Sequence, residues 1–318
     1  VYASQGTRIT VDGINELAPI SGKLLVEVVS KKGQRVFQSE LEASMATGIG
    51  QLFADQLDTA KLSGTYTAQV TLKDQAGAVL TQNRFVFDVF NDEQLEAPEA
   101  EIAVLDINRS LRRFLDSAGV PYIEFDADTP KTMPVFVSRA AANTPQQKQS
   151  FADLERFVAA GGTAIYLETI KRWSGNPYWG GKLPGAEALP IEPTIQQAKG
   201  LWIGISHVVT DHPIFAGLPS KCMMDQIYEN IWSPQTLMNV DGELIVASVS
   251  HGWYQNRIDG RNYLGPEPAW CGMDLGIVPH GQGRYVLSSL RVLEHLGTDP
   301  VADKILFNMI NWKTEQAK

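Results

Sequence analysis

The sequence contains few of the residues that build metal sites and disulfide frameworks. Its 318 residues include two cysteines, Cys222 and Cys271, and five histidines dispersed along the chain. Two distant cysteines exclude a disulfide-rich scaffold and a CxxC zinc module, and no two histidines have the spacing of a metal-binding pair on one element. We therefore expect neither a metal nor a cofactor, and the pairing state of the cysteines stays open.

The chain also lacks an excess of positive charge and any long apolar run. It has 27 Lys and Arg against 36 Asp and Glu, a formal net charge of −9, so it offers no basic surface for nucleic acid or anionic lipid. No stretch approaches the roughly 18 apolar residues that a membrane-spanning helix needs. With 44% hydrophobic and 20% charged residues, the composition is typical of a globular chain that binds neither nucleic acid nor membranes.

The first residues carry no recognisable export signal. The chain begins with Val1 rather than Met, and residues 1–12 contain neither a basic segment nor an apolar core. We expect the sequence to be part of a longer polypeptide.

A chain of 318 residues is long enough for about two domains. Residues 1–92 consist of short runs rich in β-branched and apolar residues, separated by turns. In Gly64–Lys73 apolar and polar residues alternate, as in a strand with one buried face. Several such strands predict an immunoglobulin-like β-sandwich. Residues 93–99 are acidic, contain Pro98 and have the composition of a linker.

Residues 100–318 show a different sequence pattern, in which short apolar runs alternate with segments of helical periodicity. The predicted strands are Ile102–Asp106, Tyr122–Phe125, Pro134–Ser138, Thr163–Leu167, Leu201–Val209, Leu244–Val249 and Tyr285–Leu290, and the predicted helices are Arg109–Ser117, Pro145–Ala160 and Pro300–Trp312. This alternation predicts a three-layer α/β sandwich with a mostly parallel sheet and helices on both faces.

Aromatic residues are concentrated in two loop segments of this second part, within a long Gly- and Pro-rich insertion and after the strand that ends near residue 249. The candidates are Trp173, Tyr178, Trp179, Trp253, Tyr254 and Trp270. Flat aromatic faces with nearby polar side chains are suited to stacking on sugar rings or on a partner surface. The alternative is that these aromatics form small cores that anchor their own loops.

No nucleophile is present at the turn where this architecture would place one. The turn after the fourth predicted strand contains Glu168 and Thr169, and no GxSxG or GxCxG motif occurs in the chain. Weaker polar candidates are Glu168, Asp211, His212 and His251. Asp211-His212-Pro213 also fits a turn whose side chains bind local backbone groups, and Gly281-Gln282-Gly283 fits a hairpin turn better than a phosphate loop.

Three further segments carry a resemblance to a known family. They are Asp211–Pro219, Gly281–Arg291, and Asp299–Ala302 together with Asn308. These segments resemble the C-terminal region of multidomain glycoside hydrolase family 2 proteins, the β-galactosidase and β-mannosidase group. The resemblance implies a β-sandwich followed by a class I glutamine-amidotransferase-like, flavodoxin-like α/β domain at residues 100–318, similar to trehalose-utilisation-type domains and the trimerisation domain of family 42 β-galactosidases. It also implies a periplasmic or secreted parent protein.

The departures from that family bear on function. An active amidotransferase has Cys at the turn where this chain has Glu168-Thr169, and the chain has no family 2 catalytic barrel to carry the Asn-Glu motif. No catalytic residue of the family can therefore be assigned to this chain. The resemblance implies an accessory, non-catalytic portion of a glycoside hydrolase that contributes to assembly or to the shape of the sugar cleft.

The expected partners are an oligosaccharide and either the remainder of a longer polypeptide or further copies of the chain. Two alternatives from other classes stay open. One is a stand-alone hydrolase with an unrecognised loop site, and the other is a purely structural oligomerisation domain.

Overall fold

The computed structural model describes residues 1–169, 194–197, 205–233, 235–250 and 269–316. The chain divides into two compact units, Val1–Leu95 and Glu96–Lys318. Among the described residues, no helix is long and apolar enough to cross a membrane.

The first unit contains two antiparallel sheets. Its strands are β1 (Thr7–Asn15), β2 (Ile20–Ser30), β3 (Arg35–Met45), β4 (Gly48–Leu57), β5 (Gly64–Asp74) and β6 (Val79–Val89). β1 pairs with β4, and the other four strands form a sheet in the order β3-β2-β5-β6. The arrangement is consistent with the predicted β-sandwich.

Side chains from both sheets form the core of this unit. Leu24, Val26 and Val28 alternate along β2 and are buried, which is the burial expected of a strand with one face against a core. Phe37 on β3 and Phe53 on β4 meet edge to face, with ring centroids 6.2 Å apart. The contact joins the four-stranded sheet to the two-stranded sheet.

The second unit contains one large mixed sheet and four α-helices among the described residues. The strands are β7 (Ile102–Leu105), β8 (Tyr122–Glu124), β9 (Val135–Val137), β10 (Thr163–Tyr166), β11 (Thr194–Gln197), β12 (Ile205–Val209), β13 (Cys222–Met223), β14 (Gln235–Met238), β15 (Glu243–Ser250), β16 (Trp270–His280) and β17 (Gly283–Ser288). The helices are α1 (Ser110–Ala118), α2 (Pro145–Ala159), α3 (Val292–His295) and α4 (Pro300–Gln316).

The sheet is mixed, and the prediction of a mostly parallel sheet is wrong. Its main path is β13-β12-β15-β16-β17-β10-β9-β7-β8. Five neighbouring strands, in the order β8-β7-β9-β10-β17, are parallel to one another, whereas β16 pairs antiparallel with both β17 and β15. Strand β16 was not predicted, because Gly272, Asp274 and Gly276 interrupt its apolar pattern.

Helix α2 begins and packs as its sequence predicts. Thr144 and Gln147 form a capping box, in which the Thr144 side chain accepts a hydrogen bond from the Gln147 amide at 3.1 Å. The apolar residues spaced for one helical face are buried in a cluster with side chains of the sheet; they are Phe151, Leu154, Phe157 and Val158. This helix covers one face of the parallel strands.

The turn between β16 and β17 is bound to the end of α2. The Gln282 amide donates to the Ala159 carbonyl at 2.9 Å, and the Arg284 amide donates to the Gly162 carbonyl at 3.1 Å. A Cβ atom on Gly283 would lie 2.2 Å from the carbonyl oxygens of Val158 and Gly162. The predicted hairpin turn is therefore present, and it contains glycine because two backbones approach closely there.

We expect Gly283→Ala to lower the free energy of unfolding of the second unit by about 3 kcal/mol, because the methyl group has no room beside two backbone carbonyls. The measurement is urea unfolding followed by tryptophan fluorescence, since all seven Trp residues lie after residue 100. Gly119→Ala is the matched control, because Gly119 has a φ of +73° and open space around it. This substitution should lower the free energy of unfolding by about 1 kcal/mol, through backbone strain alone. A smaller loss for Gly283→Ala than for Gly119→Ala would contradict the close-approach argument.

Candidate functional site

The carboxyl ends of β7, β9, β10 and β17 lie at the same edge of the sheet, because these strands are parallel. We call this the carboxyl edge. In open α/β sheets, ligands bind in the crevice outside this edge, at the point where the strand order reverses. A ligand bound at this edge would meet the polar residues at or just after these strand ends. They are Asp106, Ser138, Glu168 and Ser288.

Asp106 and Ser138 serve the backbone of this edge. The Asp106 carboxylate accepts hydrogen bonds from the Arg112 amide at 2.9 Å and the Asn108 amide at 3.3 Å, so it orders the start of α1. The Ser138 hydroxyl accepts from the Ile107 amide at 3.1 Å. Both side chains join neighbouring loops and are buried.

Glu168 and Thr169 are held by their neighbours in the same way. One carboxylate oxygen of Glu168 accepts from Nε and Nη2 of Arg139 at 2.8 and 2.6 Å. The Thr169 hydroxyl donates to the Ser288 carbonyl at 2.7 Å, and the threonine is buried. The turn after β10, which contains Glu168 and Thr169, thus connects the ends of β9, β10 and β17.

A second polar cluster, the serine–aspartate–histidine network, lies on the antiparallel half of the sheet. His207 on β12, Ser248 on β15 and Asp274 on β16 meet there. Nδ1 of His207 lies 2.8 Å from Oδ2 of Asp274, and the Ser248 hydroxyl donates to the Asp274 carboxylate at 2.8 and 2.9 Å. Ser248 and Asp274 have no exposed surface.

These residue types also form hydrolytic triads, but the geometry differs from a triad. In a triad the serine hydroxyl contacts the imidazole nitrogen opposite the one that binds the carboxylate. Here the Ser248 oxygen lies 3.1 Å from Nδ1 of His207, the nitrogen that already contacts Asp274. The hydroxyl proton is directed to the carboxylate, so the network does not activate a nucleophile.

Trp232 completes the surroundings of His207. Its ring stacks on the imidazole, with centroids 5.9 Å apart and planes 12° from parallel. The indole N–H of Trp232 is buried and has no hydrogen-bond partner among the described residues. Sequence reasoning missed His207 and Ser248, although a histidine or serine within an apolar strand is a usable signal, because buried polar groups require partners.

Of the other predicted polar residues, Asp211 and His212 lie at a turn. Asp211 forms an exposed ion pair with Lys221 at 2.5 Å. Nδ1 of His212 accepts a hydrogen bond from the Ile214 amide at 3.3 Å, and its ring packs edge-on against Trp312 at 4.7 Å. His212 therefore caps a short 3₁₀ turn, Pro213–Phe215.

Two of the three segments that carry the family resemblance are linked to each other through Asn308. Asn308 on α4 donates to the carbonyls of Ile214 and Ala216, each at 3.0 Å. Asp299 caps α4 by accepting from the Val301 amide at 2.8 Å, and it also accepts from Asn230 at 3.0 Å. These side chains stabilise packing between α4 and the preceding loops, so the resemblance rests on fold-determining residues.

Among the aromatic candidates, Trp270 lies within the described residues, at the start of β16 opposite Ser250. Its indole N–H is buried and finds no hydrogen-bond partner within the part of the chain that the structure describes. The remaining loop candidates lie outside the described residues; they are Trp173, Tyr178, Trp179, Trp253 and Tyr254, together with the polar candidate His251.

The described residues that border these aromatic segments share one side of the sheet. Ile205, Ser250 and Trp270 lie side by side on β12, β15 and β16. Because β16 runs antiparallel to β17, this row lies on the side of the carboxyl edge. Thr169, bound to the end of β17, borders the other aromatic segment. Described residues next to both aromatic segments thus lie at the same edge of the sheet.

The surroundings of Cys271 are not those of an activated nucleophile. Cys222 and Cys271 are both free. Partial burial, and then the nearby Asp274 carboxylate, raise the pKa of the Cys271 thiol above its ordinary value, which disfavours the reactive thiolate. Within the part of the chain that the structure describes, no three His, Cys, Asp or Glu residues are grouped to hold a metal ion.

Comparison with known proteins finds weak structural similarity to carbohydrate-active enzymes. No protein-family model and no curated protein matches the chain. A β-glucuronidase from glycoside hydrolase family 2 aligns over 53% of this chain and 19% of its own, with 13% identity and a TM-score of 0.26. A putative β-galactosidase from Bacteroides fragilis aligns over 50% of this chain and 36% of its own, with 10% identity and a TM-score of 0.24.

A third similar structure is a cycloisomaltooligosaccharide glucanotransferase from Paenibacillus. It aligns over 51% of this chain and 26% of its own, with 10% identity and a TM-score of 0.24. In all three comparisons, the aligned part is well under half of the known protein.

We expect Asp274→Asn to lower the free energy of unfolding by about 3 kcal/mol, because it breaks the pair between the buried Asp274 carboxylate and the largely buried His207 side chain. Glu168→Gln is the control, since the Glu168–Arg139 pair is partly exposed and is worth about 1 kcal/mol or less. Urea unfolding of both variants checks the difference. Equal losses would show that the network contributes no more than an ordinary surface pair.

The raised pKa of Cys271 predicts slow alkylation. In a Cys222→Ser variant, iodoacetamide should modify Cys271 more slowly at neutral pH in the folded protein than in urea, because less of the folded thiol is ionised. The difference should shrink as the pH rises above the pKa of the thiol in both states. Mass spectrometry of timed samples gives the rates, and equal or faster modification of the folded protein would refute this assignment.

Proposed function

We propose that this chain is an accessory, non-catalytic portion of a carbohydrate-active protein of the glycoside hydrolase family 2 type. In this proposal, the first unit is an immunoglobulin-like sandwich and the second is an amidotransferase-like α/β domain without a nucleophile. The second unit shapes or extends a sugar-binding cleft, or contributes to assembly of the parent protein.

The strand order supports the flavodoxin-like part of the proposal. The parallel strands run β8-β7-β9-β10-β17, which is the order 2-1-3-4-5 of flavodoxin-like sheets. Along these strands, every second side chain packs on α2, and the side chains between them point to the opposite face of the sheet. Those on the opposite face are fully buried; they are Val104, Phe136, Ile165 and Val286. Phe114 of α1 contacts Phe307 of α4 with ring centroids 5.8 Å apart, which fits a helical layer on that second face.

The observation that carries the non-catalytic assignment is the turn after β10. The Glu168 carboxylate forms an ion pair with Arg139, and the buried Thr169 hydroxyl donates to the Ser288 carbonyl. A nucleophile needs an exposed side chain beside a general base. Neither residue at this turn meets that requirement, and the serine–aspartate–histidine network is buried with its hydroxyl bound to the carboxylate.

The aromatic segments support the carbohydrate part of the proposal. Their borders lie on the side of the sheet where α/β proteins bind ligands. Trp and Tyr faces stack on the apolar faces of sugar rings, and an indole N–H can donate to a hydroxyl. Trp173, Tyr178, Trp179, Trp253, Tyr254 and Trp270 are the residues we propose to contact an oligosaccharide.

The test is a titration of the 318-residue chain with galactosides, mannosides and their oligomers, followed by tryptophan fluorescence. We expect saturable quenching by at least one sugar, and we expect Trp179→Ala or Trp253→Ala to abolish it. Trp312→Phe is the control, because Trp312 is buried against His212 and its loss removes a fluorophore without touching the aromatic segments.

A parallel assay with aryl galactosides and mannosides tests the absence of catalysis. No turnover is expected. Turnover that survives purification and depends on a residue of this chain would overturn the non-catalytic assignment, and a flat fluorescence response to the whole panel would leave assembly as the proposed role.

A further inference from the structure

Strand β6 is an outer strand of the four-stranded sheet, and its apolar side chains are exposed on both faces. It pairs with β5 along one side. Val79, Leu80, Phe85 and Val86 have 55%, 47%, 53% and 44% of their surfaces exposed. A strand that is apolar and open on both faces is unusual for an isolated sheet edge, since such edges pair with other chains unless they are protected.

One end of β6 is already covered by the start of the chain. The Val1 amino group donates to the Asp88 carbonyl at 2.7 Å, and the Phe90 amide donates to the Val1 carbonyl at 2.9 Å. The main-chain groups of Asp88 and Phe90 therefore point away from β5. Because successive residues of a strand point their main-chain groups to opposite sides, those of Gln82, Arg84 and Val86 also point outward. We call residues 79–87 the open edge.

The open edge lacks most of the features that keep sheet edges apart. Residues 79–87 contain no Pro, no Lys and one charged residue, Arg84. A register shift opposite Leu72 and Lys73 leaves Leu80 as an extra residue, so a bulge interrupts the end near the hairpin. The regular part, residues 81–87, stays available for pairing.

The side chains of the open edge are complementary to a second copy of themselves. In an antiparallel pair of identical strands related by a two-fold axis at Asn83, Thr81 faces Phe85 of the other copy and Gln82 faces Arg84. An axis at Arg84 would set two guanidinium groups opposite each other, and an axis at Gln82 would set Leu80 opposite Arg84. Asn83 is also the midpoint of the open edge.

We propose that two copies of this chain associate through antiparallel pairing of their β6 strands, centred on Asn83. The pairing joins four strands from each copy into one continuous sheet. It uses the outward main-chain groups of Gln82, Arg84 and Val86, and it covers the apolar side chains on both faces. The proposal does not depend on the carbohydrate function proposed above.

A cysteine cross-link tests the register. Asn83 main-chain groups face β5, so Asn83 and its counterpart form a non-hydrogen-bonded pair, in which Cβ atoms come close enough for a disulfide. In a Cys222→Ser, Cys271→Ser background, Asn83→Cys should oxidise to a disulfide-linked dimer. Gln82→Cys is the control, because its counterpart lies two positions away on the other strand. Equal cross-linking of both variants, or none of Asn83→Cys, would overturn the register.

Sedimentation analysis of the 318-residue chain tests the association itself. We expect a concentration-dependent dimer, and we expect Gln82→Pro to raise its dissociation constant by at least about tenfold, because it removes an outward N–H that β5 does not use. The thermal midpoint of the diluted monomer shows whether Gln82→Pro still folds, and Val86→Lys provides a second variant that keeps every main-chain group.

The control is Ile49→Lys. Ile49 on β4 is 80% exposed. The variant therefore replaces a comparable apolar side chain that lies outside β6, and the dimer of this variant should persist. A chain that stays monomeric at every concentration would overturn the proposal. So would a dimer that survives both β6 variants or is lost in Ile49→Lys.

Discussion

The buried carboxylate of Asp274 is the constraint around which the second unit is arranged. A charge without exposed surface must be surrounded by donors, and here the donors come from β12 and β15 through His207 and Ser248. The backbone carbonyl of the same residue accepts from the amide and hydroxyl of Ser289 at the end of β17. One residue therefore connects the antiparallel half of the sheet to the parallel half.

The fold was predictable where a local pattern and its tertiary surroundings agree. Helix α2 shows this agreement, because the capping pair Thr144 and Gln147 and the apolar face around Phe157 favour the same helix. Strand β16 shows the opposite. Its glycines leave room for close neighbours, the Thr236 side chain at Gly272 and the Glu243 carbonyl at Gly276, so the residues that make the strand fit also remove its strand-like pattern.

The candidate site was predictable in part. The absence of Ser or Cys at the turn after β10 is visible in the sequence, but the pairing of Glu168 with Arg139 depends on residues 29 positions apart that meet only in the folded sheet. His207, Ser248 and Asp274 come from three strands separated by long segments, and no spacing rule connects them. Side-chain clusters assembled from several strands of a sheet cannot be recognised from spacing along the sequence for this reason.

The row formed by Ile205, Ser250 and Trp270 has a consequence for how the protein can change. Neighbouring strands hold such positions about 4.8 Å apart, so the ends of the connecting segments are fixed by the ladder rather than by the segments themselves. The entropy of closing a loop rises only slowly with its length. Insertions and deletions at this edge are therefore tolerated by the sheet, and foreign recognition sequences grafted there would leave the buried network beneath them unchanged.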